Sequence, residues 1–83
     1  MDTDTRVKKV LSKALIVDDS LVVDSALLAD DLGITSLDRF ELLIDLEEEF
    51  GLEIDERDFE GIKTVADVER RIKQMMERQT HSP

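Results

Sequence analysis

Three times between residues 35 and 67 the chain carries the same helix-opening signal: Thr35 with Asp38, Asp55 with Asp58, and Thr64 with Asp67. In each, a side-chain oxygen stands three residues before a carboxylate. Each side chain can then accept the other residue's free backbone N–H, a capping box with Asp in place of the usual Glu. No period-2 alternation runs long enough to make a sheet. The chain is therefore expected to be all-α.

Helical spacing fills in the elements. Val7, Val10, Leu11 and Ala14 predict a first helix over residues 4–15, with several possible caps from Asp2 to Thr5. Residues 16–35 read as a long connection, because Asp18-Asp19-Ser20 and Asp24-Ser25 are turn formers. Its Leu21, Val22, Val23, Leu27, Leu28 and Leu32 are too apolar for a free linker. The connection should pack on the helices, with a short turn near residues 26–30. Gly33 supplies a turn, and a second helix follows over 36–50 with Leu42, Leu43, Leu46 and Phe50 on its core face. Gly51 ends it. A short third helix is expected over 56–61, anchored by Phe59 and Ile62. The last helix should span 65–78 with Val65, Val68, Ile72 and Met75/Met76 inward, and residues 1–3 and 79–83 should fray. The expected architecture is a small four-helix bundle, three main helices plus one short one, with a long first crossover.

At 83 residues the chain has room for one domain, 1–83, and at 4% aromatics its core must be aliphatic. The absence of Cys excludes disulfides, thiol catalysis and Cys-based zinc sites, and the lone His81 excludes a multi-His metal site. No apolar run, Ala14-Leu15-Ile16-Val17 included, approaches the length that spans a bilayer. The start of the chain lacks the basic and apolar regions of a signal peptide. The expectation is a cytoplasmic, monomeric protein without membrane insertion.

The formal charge is −10. From Asp18 to Glu60 there are sixteen acids and two bases, Arg39 and Arg57; the rest of the chain has five acids and nine bases. A nucleic-acid backbone would be repelled. Proteins with basic patches would be attracted and would dock faster. The acids match no calcium-loop pattern, so no metal site is expected. Paired carboxylates such as Glu47-Glu48-Glu49 read as a solvated helix face with nothing apolar around them to shift a pKa. No catalytic residue is expected, and the chain is not read as an enzyme.

One constellation carries more. Asp31-Leu32-Gly33-Ile34-Thr35-Ser36-Leu37 runs straight into the acidic second helix. Of five serines, only Ser36 starts a long helix directly after a glycine turn. With Thr35 as the cap, Ser36 is the first helical residue and its hydroxyl points outward. A phosphodiester there would meet free backbone N–H groups and the positive end of the helix dipole. Taken alone, a serine at a helix start is most often only a cap.

With that constellation in view, the chain resembles the acyl carrier proteins over nearly its whole length. The likeness rests on the opening Arg-Val-Lys-Lys-Val, on Leu32-Gly33 with Ser36-Leu37-Asp38, and on Glu41-Leu42. It continues through Leu46-Glu47-Glu48-Glu49-Phe50, Ile54 and Ile62-Lys63-Thr64-Val65. The resemblance implies that Ser36 carries 4′-phosphopantetheine, transferred from coenzyme A by a phosphopantetheinyl transferase. Acyl groups would ride as thioesters on its terminal thiol to a ligase, ketosynthase or acyltransferase of fatty acid or related lipid biosynthesis. It implies docking of basic patches by Asp38, Glu41, Glu47 and Glu48. It also implies shelter for the acyl chain among Val7, Leu42, Leu46, Phe50, Ile54, Ile62 and Val68.

Two positions depart from the family pattern. Thr35 stands where an Asp is common, and Arg39 where a small neutral residue is usual. Arg39 is expected near the mouth of the acyl pocket, paired with Asp58 or Glu60 as a gate, or with its stem packed and its head in solvent. Both departures point to a specialised carrier. A carrier of aminoacyl or polyketide units stays open beside the fatty-acid reading, as does an unmodified acidic module that only binds basic proteins.

Overall fold

The computed structural model describes residues 2–80; the fraying expected at residues 1 and 81–83 lies outside them. Three α-helices follow one another: α1 (Thr3–Leu15), α2 (Ser36–Phe50) and α3 (Val65–Thr80). Two short 3₁₀ segments lie between them, Asp19–Leu21 and Glu56–Phe59. No strand occurs among the described residues; one antiparallel bridge joins Leu27 to Thr64.

The local chemistry accounts for the boundaries. Asp2 accepts the Thr5 N–H at 2.7 Å and starts α1 one residue earlier than the spacing predicts. All three capping boxes form, around Thr35, Asp55 and Thr64. The two N–H groups of Lys63 and Thr64 hold the Asp67 carboxyl below the usual carboxylate range. Gly51 ends α2 in the left-handed region at φ 64°, a conformation that costs a residue without Cβ little. The short third helix expected over 56–61 is instead the four-residue 3₁₀ segment Glu56–Phe59. Glu60 turns extended and Gly61 takes φ 80°, so the helix cannot continue. In the other direction α3 outlasts its expected end and stays helical to Thr80.

α1 packs against both other helices around one aliphatic core. Val7, Leu11, Leu42, Leu46, Val65, Val68 and Ile72 are fully buried at its centre. Val22, Ala26, Leu28 and Leu32 from the first loop close it on one side, as their apolar character demands. The loop is fixed by backbone bonds as well. Leu28 N–H donates to Lys63 O at 2.9 Å, Val65 N–H to Ala26 O at 3.1 Å and Ala66 N–H to Asp24 O at 3.0 Å. These bonds tie the first loop to the start of α3 and leave little freedom to the segment that leads into α2.

One polar cluster forms where α1, the first loop and α3 meet, with Glu69 at its buried end and Asp24 and Lys73 exposed. Glu69 is only 4% exposed. Lys8 reaches Asp24 at 3.0 Å and Glu69 at 3.6 Å, and Lys73 of the next turn reaches Asp4 at 2.8 Å. Burial, then the neighbouring Asp24 and Asp4 carboxylates, push the Glu69 carboxyl up to about 7. Lys8 holds Asp24 below its ordinary value.

Candidate functional site

The turn before α2 sets the direction of its first residues. Gly33 adopts φ 67°, and its N–H bonds Ala29 O at 3.1 Å. Ile34 N–H bonds Leu28 O at 2.9 Å. The chain therefore enters α2 from a closed turn. Thr35 Oγ1 accepts the Asp38 N–H, and Asp38 Oδ2 accepts the Thr35 N–H. Arg39 N–H bonds Thr35 O at 2.9 Å. Of the first four helical N–H groups, those of Ser36 and Leu37 are left over. The Ser36 side chain is exposed beside them. An exposed hydroxyl next to two uncommitted N–H donors, at the positive end of a fifteen-residue helix, suits an ester-linked phosphate chemically.

The acids expected to dock partners divide in two. Glu41 and Glu48 are exposed. Asp38 and Glu47 are half-buried and already hold backbone groups, Asp38 in the capping box and Glu47 by accepting the Ile54 N–H at 2.9 Å. Glu47 thus tethers the loop after α2 to the helix, a bond between residues seven apart that spacing on one helix does not show.

Between these acids runs a stripe that the sequence reading left unassigned. Leu37, Phe40 and Ile44 are 66%, 53% and 41% exposed. Their spacing of three and four puts them on one face of α2, opposite the core side chains Leu42, Leu43 and Leu46. The pattern was present in the sequence, and the stronger leucine face masked it.

The residues expected to shelter an acyl chain meet in one cluster. Val7, Leu42, Leu46 and Val68 are fully buried in it, while Phe50, Ile54 and Ile62 lie half-exposed at its edge. The Arg6 guanidinium covers the Phe50 ring at 4.4 Å and its Nε bonds Glu49 at 2.9 Å. An acyl chain entering here would have to part close-packed side chains.

Of the two placements expected for Arg39, the ion pair with Asp58 or Glu60 does not form, and the side chain is exposed. The Asp58 carboxylate is used within its own turn, where Oδ2 accepts the Asp55 N–H at 2.9 Å. The cation that reaches the 3₁₀ segment is Arg71 of α3, which donates to the Asp58 carbonyl. Arg39 is exposed and lines a cleft of about 290 Å³ with Ile34, Ile62 and Lys63. Among the described residues no group of three or more metal-ligating side chains occurs, and no helix is long and apolar enough to cross a membrane.

Comparison with known proteins bears on the family of the chain and on its fold. The family model described as the phosphopantetheine attachment site matches residues 5–72. An acyl carrier protein of Thermotoga maritima is 47% identical over 64 residues, covering 77% of this chain and 79% of that protein. A solved structure of a candidate acyl carrier protein from Mycobacterium tuberculosis superposes with a TM-score of 0.79 at 33% identity. That match covers 88% of this chain and 97% of the other.

Proposed function

The chain belongs to the acyl carrier protein family, whose shared feature is a phosphopantetheine attachment site, and from that premise we propose that Ser36 is the residue that carries the arm. One observation supports the assignment most: Ser36 is the exposed first residue of α2, freed from capping by the Thr35–Asp38 pair. The arm would join Ser36 Oγ as a phosphodiester, facing the Ser36 and Leu37 N–H groups. Its thiol would hold acyl groups as thioesters. The chain itself supplies attachment, presentation and docking, and the bond making belongs to partner enzymes.

The docking face in this reading is α2. Glu41 and Glu48 would meet basic patches and speed encounter, and Leu37, Phe40 and Ile44 would supply the apolar centre of the contact. Asp38 and Glu47 would add field while keeping their internal bonds. A phosphopantetheinyl transferase and the ligase, ketosynthase or acyltransferase of fatty acid or related lipid biosynthesis are the partners proposed, in the cytoplasm. The carrier works here as a single monomeric domain. Val7, Leu42, Leu46, Phe50, Ile54, Ile62 and Val68 would open to admit cargo, with Arg39 at one side of the approach.

Incubation with coenzyme A and a broad-specificity transferase tests this reading. One phosphopantetheine mass should appear on the parent chain and none on Ser36→Ala. An unmodified binding module would take no mass in either.

A further inference from the structure

We propose that the cleft between the first loop and the start of α2 receives the free terminal carboxylate of a dicarboxylic acyl group carried on the arm. The proposal rests on the assignment of Ser36 above and names a class of cargo for it. Leu27, Leu28, Ile34 and Ile62 form the apolar walls of the cleft, and Arg39 and Lys63 stand on its lining.

Those two cations, like Lys9 and Lys13, form no ion pair among the described residues, and the cleft that they line has aliphatic walls. Arg6, Lys8, Arg57, Arg70 and Lys73 are ion-paired among the described residues, and Arg71 is held by a carbonyl. Arg39 lies in the most acidic third of the sequence, yet among the described residues neither it nor Lys63 is in an ion pair. Asp30 shares the lining but pairs with neither, and Asp31 is used on the Leu27 N–H at 2.7 Å. The fold thus holds two positive charges beside an apolar surface without neutralising them.

That combination suits a short methylene chain ending in an anion. The methylenes would lie on the leucine and isoleucine walls, and the carboxylate would meet the guanidinium and the ammonium. A methyl end placed there would gain no charge partner and would crowd hydration away from both cations. A volume of about 290 Å³ is roughly ten water volumes, room for a short acyl group. The walls are held in place by the Leu28–Lys63 and Ile34–Leu28 backbone bonds, both 2.9 Å. Ile34 and Arg39 flank Ser36 in sequence, so a flexible arm folded back on its own helix start reaches the cleft.

The arm's own phosphodiester is a second source of negative charge, and the experiment separates the two. Ser36 is loaded enzymatically with unacylated, hexanoyl and adipoyl pantetheine arms, the last two having equal carbon number. Thioester hydrolysis is measured relative to the same thioester of free pantetheine, and amide shifts are followed at Leu28, Ile34 and Ile62. The adipoyl form should be protected at least about threefold more than the hexanoyl form, a ratio within reach of exposed charge pairs. Its cleft amides should move where those of the other two forms do not. Arg39→Gln and Lys63→Gln, both surface changes, should each reduce the difference. Equal protection of the two thioesters, or a difference that survives both substitutions, overturns the inference. Cleft shifts already complete in the unacylated form assign the cations to the phosphodiester and overturn it too. A chain that takes no arm at Ser36 overturns the functional reading and this inference together.

Discussion

Thr35 and Asp38 satisfy each other across the first turn of α2, with Asp38 N–H on Thr35 Oγ1 at 3.1 Å and Thr35 N–H on Asp38 Oδ2 at 3.0 Å. Ser36 lies between them and carries none of the capping. Thr35→Ala should therefore cost about 1 kcal/mol of stability, the usual loss for a cap, and Ser36→Ala less than about 0.5 kcal/mol. Urea unfolding checks both. A Ser36→Ala loss equal to that of Thr35→Ala would show that the serine is a structural cap.

Glu47 and Glu48 are adjacent acids with different surroundings. Glu48 is exposed, whereas Glu47 holds the Ile54 N–H. Glu48→Lys should weaken association with a transferase at low salt and leave the unfolding midpoint unchanged or slightly higher, since local repulsion falls. Glu47→Lys should weaken association too but lower stability by about 1 kcal/mol, because the Ile54 N–H loses its acceptor. Equal stability of the two variants would remove the tether assigned to Glu47.

Much of this was readable from sequence, for a reason visible in particular residues. The pairs Thr35–Asp38, Asp55–Asp58 and Thr64–Asp67 act over three residues, so their boxes formed as written; the first sets the start of α2, and Gly51 sets its end. What escaped depends on chain brought in from afar. Spacing along α3 assigned Glu69 no place in the core, and it is buried where the 24–28 segment bonds to residues 63–66. The expected 56–61 helix stopped early because Gly61 takes a left-handed turn, which capping signals cannot foresee. At the candidate site, Ser36 followed from local rules, while the free state of Arg39 depended on Arg71 and on how Asp58 spends its carboxylate.

Glu69 makes stability depend on pH in a defined window. Its ordinary value is 4.5, and burial beside Asp24 and Asp4 raises it to about 7 in the fold. Between those values the folded chain holds the extra proton, so stability should rise as pH falls from about 8 to about 5. Asp24 and Asp67 act the opposite way, because both are held below their ordinary 3.8 and their contribution is lost only at lower pH. Glu69→Gln should flatten the upper limb and raise stability at pH 8 by on the order of 1 kcal/mol. Unfolding midpoints across pH 5–8 check it; a parent chain with no slope there contradicts the account of the cluster.

Ile16 ends α1 at φ 53°, ψ 53° with 90% of its surface exposed. A β-branched residue in that region costs roughly 1–2 kcal/mol, and nothing packed around it offsets the cost. Ile16→Gly removes the strain and gives back roughly 0.5–1 kcal/mol through a freer unfolded chain. The net expected gain is about 0.5–1 kcal/mol, read by urea unfolding. A clear loss would mean that the isoleucine side chain stabilises the folded chain despite its exposure.

The central claim is the identity of one serine among five. Tandem mass spectrometry of the chain after treatment with coenzyme A and transferase tests it most directly. The phosphopantetheine should be found on the fragment carrying Thr35-Ser36-Leu37 and at Ser36 within it, with Ser36→Ala left unmodified. An arm localised to Ser12, Ser20, Ser25 or Ser82, or a Ser36→Ala chain that still gains the mass, would contradict the account.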